Sequence, residues 1–228
     1  MEYSTSKVID KKFFKQIRSI CSEITHLELT EIEKINKPTK KNPFILNFGL
    51  VKKLRLDCIS QKDYERVIKF RLLLEKNNIN ISKLLSYNHK IETGEYLIIS
   101  EWIYGDELHL KLKGLDEKNK QLVLISYGEL IGKMSSIKVE NFYVLNTDIG
   151  MPNIIVTEEN KLIIVDHQKL RLVTDTQRVL VIVKLLLKRI KRRAWMNLFL
   201  EGYGKYFDIK DIVQKCDDYN WLWVKRKN

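Results

Sequence analysis

Asn146-Thr147-Asp148-Ile149-Gly150-Met151-Pro152-Asn153-Ile154-Ile155-Val156, with Leu162-Ile163-Ile164-Val165-Asp166 shortly after it, decides how the rest of this chain is read. Asp148 is followed five residues later by Asn153, which opens an apolar run of strand character. Glu158-Glu159-Asn160 supplies a turn, and the second apolar run ends on Asp166. The pattern predicts loop, strand, hairpin, strand, loop, with polar groups gathered at one end of the ladder. A plain surface hairpin with solvated acids at its ends would use the same residue types, because Asp and Asn are common in turns. Phosphoryl transfer from a metal-bound nucleotide needs all three groups. One carboxylate orients the acceptor hydroxyl, while an amide oxygen and a second carboxylate hold the metal ions.

These residues resemble the catalytic loop and metal-binding strand of the protein-kinase-like superfamily. The chain departs from that pattern in two places. Asn146-Thr147 stands where protein kinases carry His-Arg and small-molecule kinases often carry His-Gly, and His167-Gln168 stands where Phe-Gly follows the second Asp. The resemblance implies an α+β, two-lobed protein-kinase-like fold. It would have a small antiparallel-sheet N-lobe over residues 1–103 and a reduced, mainly helical C-lobe over residues 104–228.

Composition bounds the function classes. The 228 residues are 44% hydrophobic, enough for one sizeable core or two closely packed lobes. Cys21, Cys58 and Cys216 are odd in number and widely spaced, so neither a disulfide framework nor a metal knuckle is expected, and a reducing compartment is. Met1–Ser6 is polar and leads into Lys11-Lys12, so no secretory core is visible, and no apolar run reaches membrane-spanning length. The net charge of +12 implies an acidic partner: nucleic acid, an anionic membrane or a phosphorylated substrate.

Upstream, apolar spacing predicts a packing helix over Val8–Cys21 and a strand within His26–Ile35. Phe44–Leu56 reads as a hairpin turning at Asn47-Phe48-Gly49, and no glycine precedes Gly49, so the glycine-rich phosphate cover of kinases is reduced or absent. On the second arm Lys52 shares a face with Leu50, Leu54 and Leu56, as suits the strand lysine that neutralises nucleotide phosphates. Lys53, on the other face with Val51 and Arg55, is the second candidate, and both lysines also read as solvated strand residues. Ser60 with Asp63 starts a helix to about Lys76 whose buried stripe is Tyr64, Val67, Ile68 and Leu72. Glu65 lies at the rim of that stripe, from where it would pair with Lys52 as the helix glutamate of kinases does. A surface pair with Lys69 is the alternative. The apolar run into Glu101-Trp102-Ile103-Tyr104-Gly105 resembles the interlobe hinge, whose backbone over Glu101, Trp102 and Ile103 would read the adenine edge.

Asp116–Ile137 reads as a helix with Leu122, Ile125, Leu130, Ile131 and Met134 in its core. A second helix from Val179 continues into Lys188-Arg189-Ile190-Lys191-Arg192-Arg193-Ala194-Trp195. Residues 184–195 are expected to form a basic amphipathic helix suited to an anionic membrane surface. The short, basic, His-poor form looks most like the bacterial lipopolysaccharide kinases of the Kdo kinase and core heptose kinase type. That likeness implies an ATP- and Mg²⁺-dependent enzyme, cytoplasmic and peripheral at the inner face of the cytoplasmic membrane, acting on a sugar hydroxyl of a lipid-linked core. Asp148 would be the catalytic carboxylate and Asn153 and Asp166 the metal ligands. The rival expectations are a pseudokinase scaffold of the same fold, a small atypical protein kinase, and a nucleic-acid-binding module. The last lacks any recognisable base-reading motif, so no specific nucleic acid is expected.

Overall fold

The computed structural model describes residues 11–34, 44–49, 52–91, 94–166 and 169–225. They fall into two compact units. One holds residues up to Glu65 together with Ser82–Trp102, and the other holds Arg66–Ile81 and everything from Ile103 onward.

The first unit is built on a five-stranded antiparallel sheet. Its strands are β1 (Glu31–Lys34), β2 (Phe44–Phe48), β3 (Lys52–Ile59), β4 (Leu84–Lys90) and β5 (Tyr96–Glu101), in the order β1-β2-β3-β5-β4. β2 and β3 form the expected hairpin, with Phe48 opposite Lys52, and Gly49 at the turn has φ of 71°. One face of the sheet is closed by helix α1 (Lys11–Thr25), whose Ile17, Ile20 and Cys21 share a core with Leu46, Leu54, Leu56, Leu97 and Ile99. Val8 to Asp10, the predicted start of this helix, lie outside the described residues. Burial pushes the Cys21 and Cys58 thiols up to about 12, with nearby Glu95 and Asp57 adding to the effect at Cys58.

Helix α2 (Gln61–Lys76) begins where Ser60 was expected to start it, and Ser60 donates its hydroxyl to Asp63. Tyr64, Val67 and Ile68 are buried as expected, and Tyr64 stacks on Tyr96 with ring centroids 4.2 Å apart. Leu72 does not join them. It is 43% exposed, while Leu74 takes the inward place.

The second unit is mainly helical. β6 (Asp106–Glu107), α3 (Leu108–Gly114), α4 (Glu117–Ser135), β7 (Lys138–Val139) and β8 (Phe142–Asn146) come first. The hairpin β9 (Ile154–Val156) and β10 (Leu162–Ile164), strand β11 (Leu170–Val173), and helices α5 (Asp175–Leu185), α6 (Arg193–Tyr203) and α7 (Lys210–Lys225) follow. Two small sheets, β10-β9-β6 and β11-β8-β7, carry the loops of interest. Asp116 caps α4 by accepting from the Asn119 N–H. Along α4 the buried side chains are Val123, Leu124, Tyr127, Leu130, Ile131 and Met134, whereas Leu122, expected inside, is 55% exposed.

Helices α4 and α6 touch backbone to backbone. A Cβ on Gly128 would sit 1.9 Å from the Phe199 carbonyl oxygen, and one on Gly202 would sit 2.0 Å from that of Ile125. Arg178 is buried beside them. It donates to Tyr203 Oη at 2.6 Å and to Asp175, and its guanidinium lies 3.8 Å from the Phe207 ring centre.

The basic helix expected over residues 184–195 is not continuous. After Leu185 the chain makes a π-helical turn, Leu186–Ile190, and Lys191 follows with φ of 62° and its N–H bonded to Leu186 O. The turn ends α5 on an i→i+5 bond, and Leu186 and Ile190, four residues apart and so on one face, are both buried. Among the described residues no helix is long and apolar enough to cross a membrane.

Candidate active site

The loop from Thr147 to Asn153 hangs between two β ladders. At one end β8 pairs with β11, Asn146 opposite Leu170, and the Thr147 N–H donates to Lys169 O at 3.1 Å. At the other end a single 3-10 turn, Met151–Asn153, hands the chain to β9, which pairs with β10 through Ile154 opposite Ile164.

Asp148, Asn153 and Asp166 are brought together by backbone bonds. Asn153 Nδ2 donates to Asp148 O at 2.7 Å, and the Val165 N–H donates to Asn153 O at 3.0 Å. Asn153 is therefore tied both to the candidate catalytic residue and to the residue before Asp166. The Asp148 side chain is exposed, while Asn153 and Asp166 are half-buried. With one amide N–H committed to Asp148 O, Asn153 keeps its oxygen for a ligand.

Two residues that the sequence reading passed over hold this loop. Asn146 is 1% exposed; its Nδ2 donates to Asp166 O at 2.6 Å, and its Oδ1 accepts from the Asp148 N–H at 3.0 Å. The two partners fix the amide orientation, because one can only accept and the other only donate. One buried side chain thus staples the Asp148 loop to the segment just after β10. Tyr127, fully buried on α4, donates its hydroxyl to Ile149 O at 2.9 Å. Burial pushes its phenol pKa up, opposed by the positive charge of Arg189. The signal for Asn146 was present, as a polar residue ending the apolar run Phe142–Leu145. Nothing in the periodicity of α4 marks Tyr127.

The donor set is one carboxylate and one amide oxygen, both hard. Among the described residues no group of three or more His, Cys, Asp or Glu side chains gathers as a metal site. Hard oxygens of this kind are the ligand type that Mg²⁺ takes, one or two carboxylates alongside substrate phosphates.

The nucleotide candidates of the first unit are more dispersed. Leu54 and Leu56, which share the face of Lys52, point into the core closed by α1, so that face is occupied. The side chain of Lys52 itself lies outside the described residues. Lys53 is half-buried on the opposite face, with Arg55 and Asp57, and these two form a bidentate pair at 2.9 Å. Glu65 is exposed and makes no ion pair among the described residues, with Lys69 or with Lys53. Glu101 ends β5, its N–H donating to Lys83 O at 2.9 Å, and Trp102 and Ile103 follow half-buried. His167 and Gln168 lie outside the described residues.

No protein-family model matches the sequence, and no curated protein does. Solved structures match it by fold. Spectinomycin phosphotransferase APH(9)-Ia, in complex with ADP and spectinomycin, aligns with a TM-score of 0.68 at 11% identity, over 89% of this chain and 83% of its own. ADP-bound aminoglycoside phosphotransferase APH(2'')-Ib aligns with a TM-score of 0.66 at 11% identity, over 94% and 88%. The PK-1 kinase of Cydia pomonella granulovirus aligns with a TM-score of 0.51 at 18% identity, over 70% and 58%. What these structures share with the chain is the fold class. This chain has the protein-kinase-like fold, with a five-stranded antiparallel sheet in its first unit and a mainly helical second unit, as the sequence led us to expect.

Proposed function

We propose that this chain is a phosphotransferase that moves the terminal phosphoryl group of a metal-bound nucleotide, ATP, to a hydroxyl of a small-molecule acceptor. The observation that carries the reading is the bonding of Asp148, Asn153 and Asp166 into one loop-and-hairpin unit. Structural neighbours whose complexes hold ADP, one of them with spectinomycin, support it. Asp148 aims the acceptor hydroxyl and takes its proton as the acceptor oxygen bonds to phosphorus and the bridging oxygen leaves with the nucleotide diphosphate. Asn153 and Asp166 would hold Mg²⁺, which when bound neutralises charge on the phosphates. Lys53 is preferred over Lys52 for the nucleotide tail, because the Lys52 face is closed by α1. The backbone that follows the committed Glu101 N–H, through Trp102 to Ile103, reads the base.

The finer reading is a sugar hydroxyl of lipopolysaccharide core as acceptor, reached at the inner face of the cytoplasmic membrane. Exposed Lys188, Lys191 and Arg192, with Arg192 stacked on Trp195 at 4.7 Å, offer the anionic surface a basic, aromatic-edged patch. A nucleotide-binding scaffold without turnover is the second reading, favoured by the exposed, unpaired Glu65.

Two variants test the proposal. Asp148→Asn is expected to slow transfer by about 10²–10⁴-fold with ATP affinity nearly unchanged, since the carboxylate acts chiefly at the transition state. Asp166→Asn is expected to abolish Mg²⁺-dependent turnover in a folded protein. Wild-type protein that binds ATP but never turns it over returns the scaffold reading, and protein that binds no nucleotide defeats both.

A further inference from the structure

The π-helical turn Leu186–Ile190 is anchored by two buried side chains, Leu186 and Ile190, and ends at Lys191 in the left-handed region. Single π-helical turns are rare and are frequently found at functional sites. This one ends α5 and carries Arg189. Its Nε lies 3.8 Å from where a Cβ on Gly150 would stand, and Gly150 is bonded through its N–H to Asp148 O at 2.9 Å. The guanidinium therefore occupies the space beside position 150 that a longer side chain on the loop itself would need. Its charge also reaches the Tyr127 phenol that holds Ile149.

Arg189 differs from the other arginines of known pairing. Arg18, Arg55, Arg178 and Arg193 are each held by a carboxylate, Glu28, Asp57, Asp175 and Asp217. Arg189 is exposed and has no ion-pair partner among the described residues. A permanently charged planar fork beside Gly150, two residues along the loop from Asp148, is suited to phosphate oxygens.

We propose that Arg189 is the cation that receives the phosphoryl group in flight, supplied by the π-helical turn because the loop carries glycine at position 150. The proposal rests on the phosphotransferase reading above. As the bond from phosphorus to the nucleotide's bridging oxygen breaks and the bond to the acceptor oxygen forms, the acceptor proton passes to Asp148. Arg189 keeps its own protons and donates N–H groups to the equatorial phosphoryl oxygens, where negative charge is spread in the transition state.

The test compares wild type, Arg189→Gln and Arg189→Lys by calorimetry with Mg²⁺-ADP alone and with Mg²⁺-ADP plus fluoroaluminate, a mimic of the phosphoryl group in transfer, with melting temperatures measured alongside. Wild type is expected to bind the fluoroaluminate complex more tightly than ADP. Arg189→Gln is expected to keep its ADP affinity and melting temperature and to lose about 10²–10³-fold of that gain, the scale of one preorganised donor. Arg189→Lys, a charge without the fork, should retain part of it. A full gain in Arg189→Gln, or no gain in a wild type that binds ADP, overturns the assignment. A joint fall in melting temperature and ADP affinity in the Gln and Lys variants alike also overturns it, in favour of loop support. Wild type that binds no nucleotide fails the phosphotransferase reading itself.

Discussion

Replacing Asn146 by alanine separates a loop built for chemistry from a loop that happens to end in acids. In the native structure Asn146 is 1% exposed and satisfies two backbone groups, the Asp148 N–H and the Asp166 carbonyl. Alanine fills less space and offers neither donor nor acceptor, so both groups lose their partner. A buried group left unsatisfied costs about 1–3 kcal/mol, so the pair costs about 2–6 kcal/mol, less whatever an entering water restores. For a chain of this size each kcal/mol moves the melting temperature by about 2–4 °C, so the fall should be several degrees and easily measured by circular dichroism. Asn146→Asp is the informative companion. It keeps an oxygen for the Asp148 N–H, but it removes the donor and sets a carboxylate against the Asp166 carbonyl, so it should be no better than alanine in stability. Magnesium-nucleotide affinity should fall in both, because the staple holds Asp166 directly and Asn153 through its bond to Asp148 O. Melting and nucleotide affinity both unchanged in Asn146→Ala would refute the claim that this side chain organises the site.

Two further outcomes follow from other parts of the fold. Gly128→Ala and Gly202→Ala each place a Cβ about 1 Å inside the 3.0 Å limit against a backbone carbonyl that cannot rotate away. Each should destabilise at or beyond the upper end of the ~1–3 kcal/mol typical of overpacking, read as a shift in urea midpoint, and a neutral result would mean that α4 and α6 are not in backbone contact. For the basic patch, reversing Lys188, Lys191 and Arg192 to Glu should weaken binding to phosphatidylserine-containing vesicles by ~1 kcal/mol for each charge removed near the surface. Equal binding by wild type and variant, or none by either, removes the membrane reading.

Much of the second unit was legible because its signals are local. The runs Phe142–Asn146, Ile154–Val156 and Leu162–Ile164 are strands, and the spacing of Asp148, Asn153 and Asp166 marks one end of their ladders. What was not legible depends on partners distant in sequence. Alternation in β3 separates Lys52 from Lys53, yet only the packing of α1 tells which face is covered. Leu122 and Leu72 have the right residue type and spacing for a core, but neighbouring positions hold the inward places. No proline or glycine announces the interruption at Leu186–Ile190. It falls within a segment of good helix formers, and only Lys191, left-handed just after it, marks where the helix ends.

The same distinction between local and distant signals bears on what the loop is for. A surface hairpin needs only its turn, and here that turn is complete in itself: Thr157 donates to Lys161 O, and Asn160 sits left-handed with its N–H on Thr157 O. None of this requires Asn146, Tyr127 or Arg189. Yet a buried amide is committed to Asp148 and Asp166, a buried phenol to Ile149, and a π-helical turn to the space beside Gly150. Buried polar groups are costly unless satisfied, and a helix interrupted by a π-turn forgoes regular bonding. The amide and the phenol hold backbone atoms of this loop and of Asp166, and the Asp148 carboxylate is left exposed at the surface. A stability requirement would have been met more simply by apolar side chains at positions 127 and 146. Fixing the backbone around an exposed acid is what a positioned catalytic group requires, because a preorganised group has little left to rearrange when charge develops.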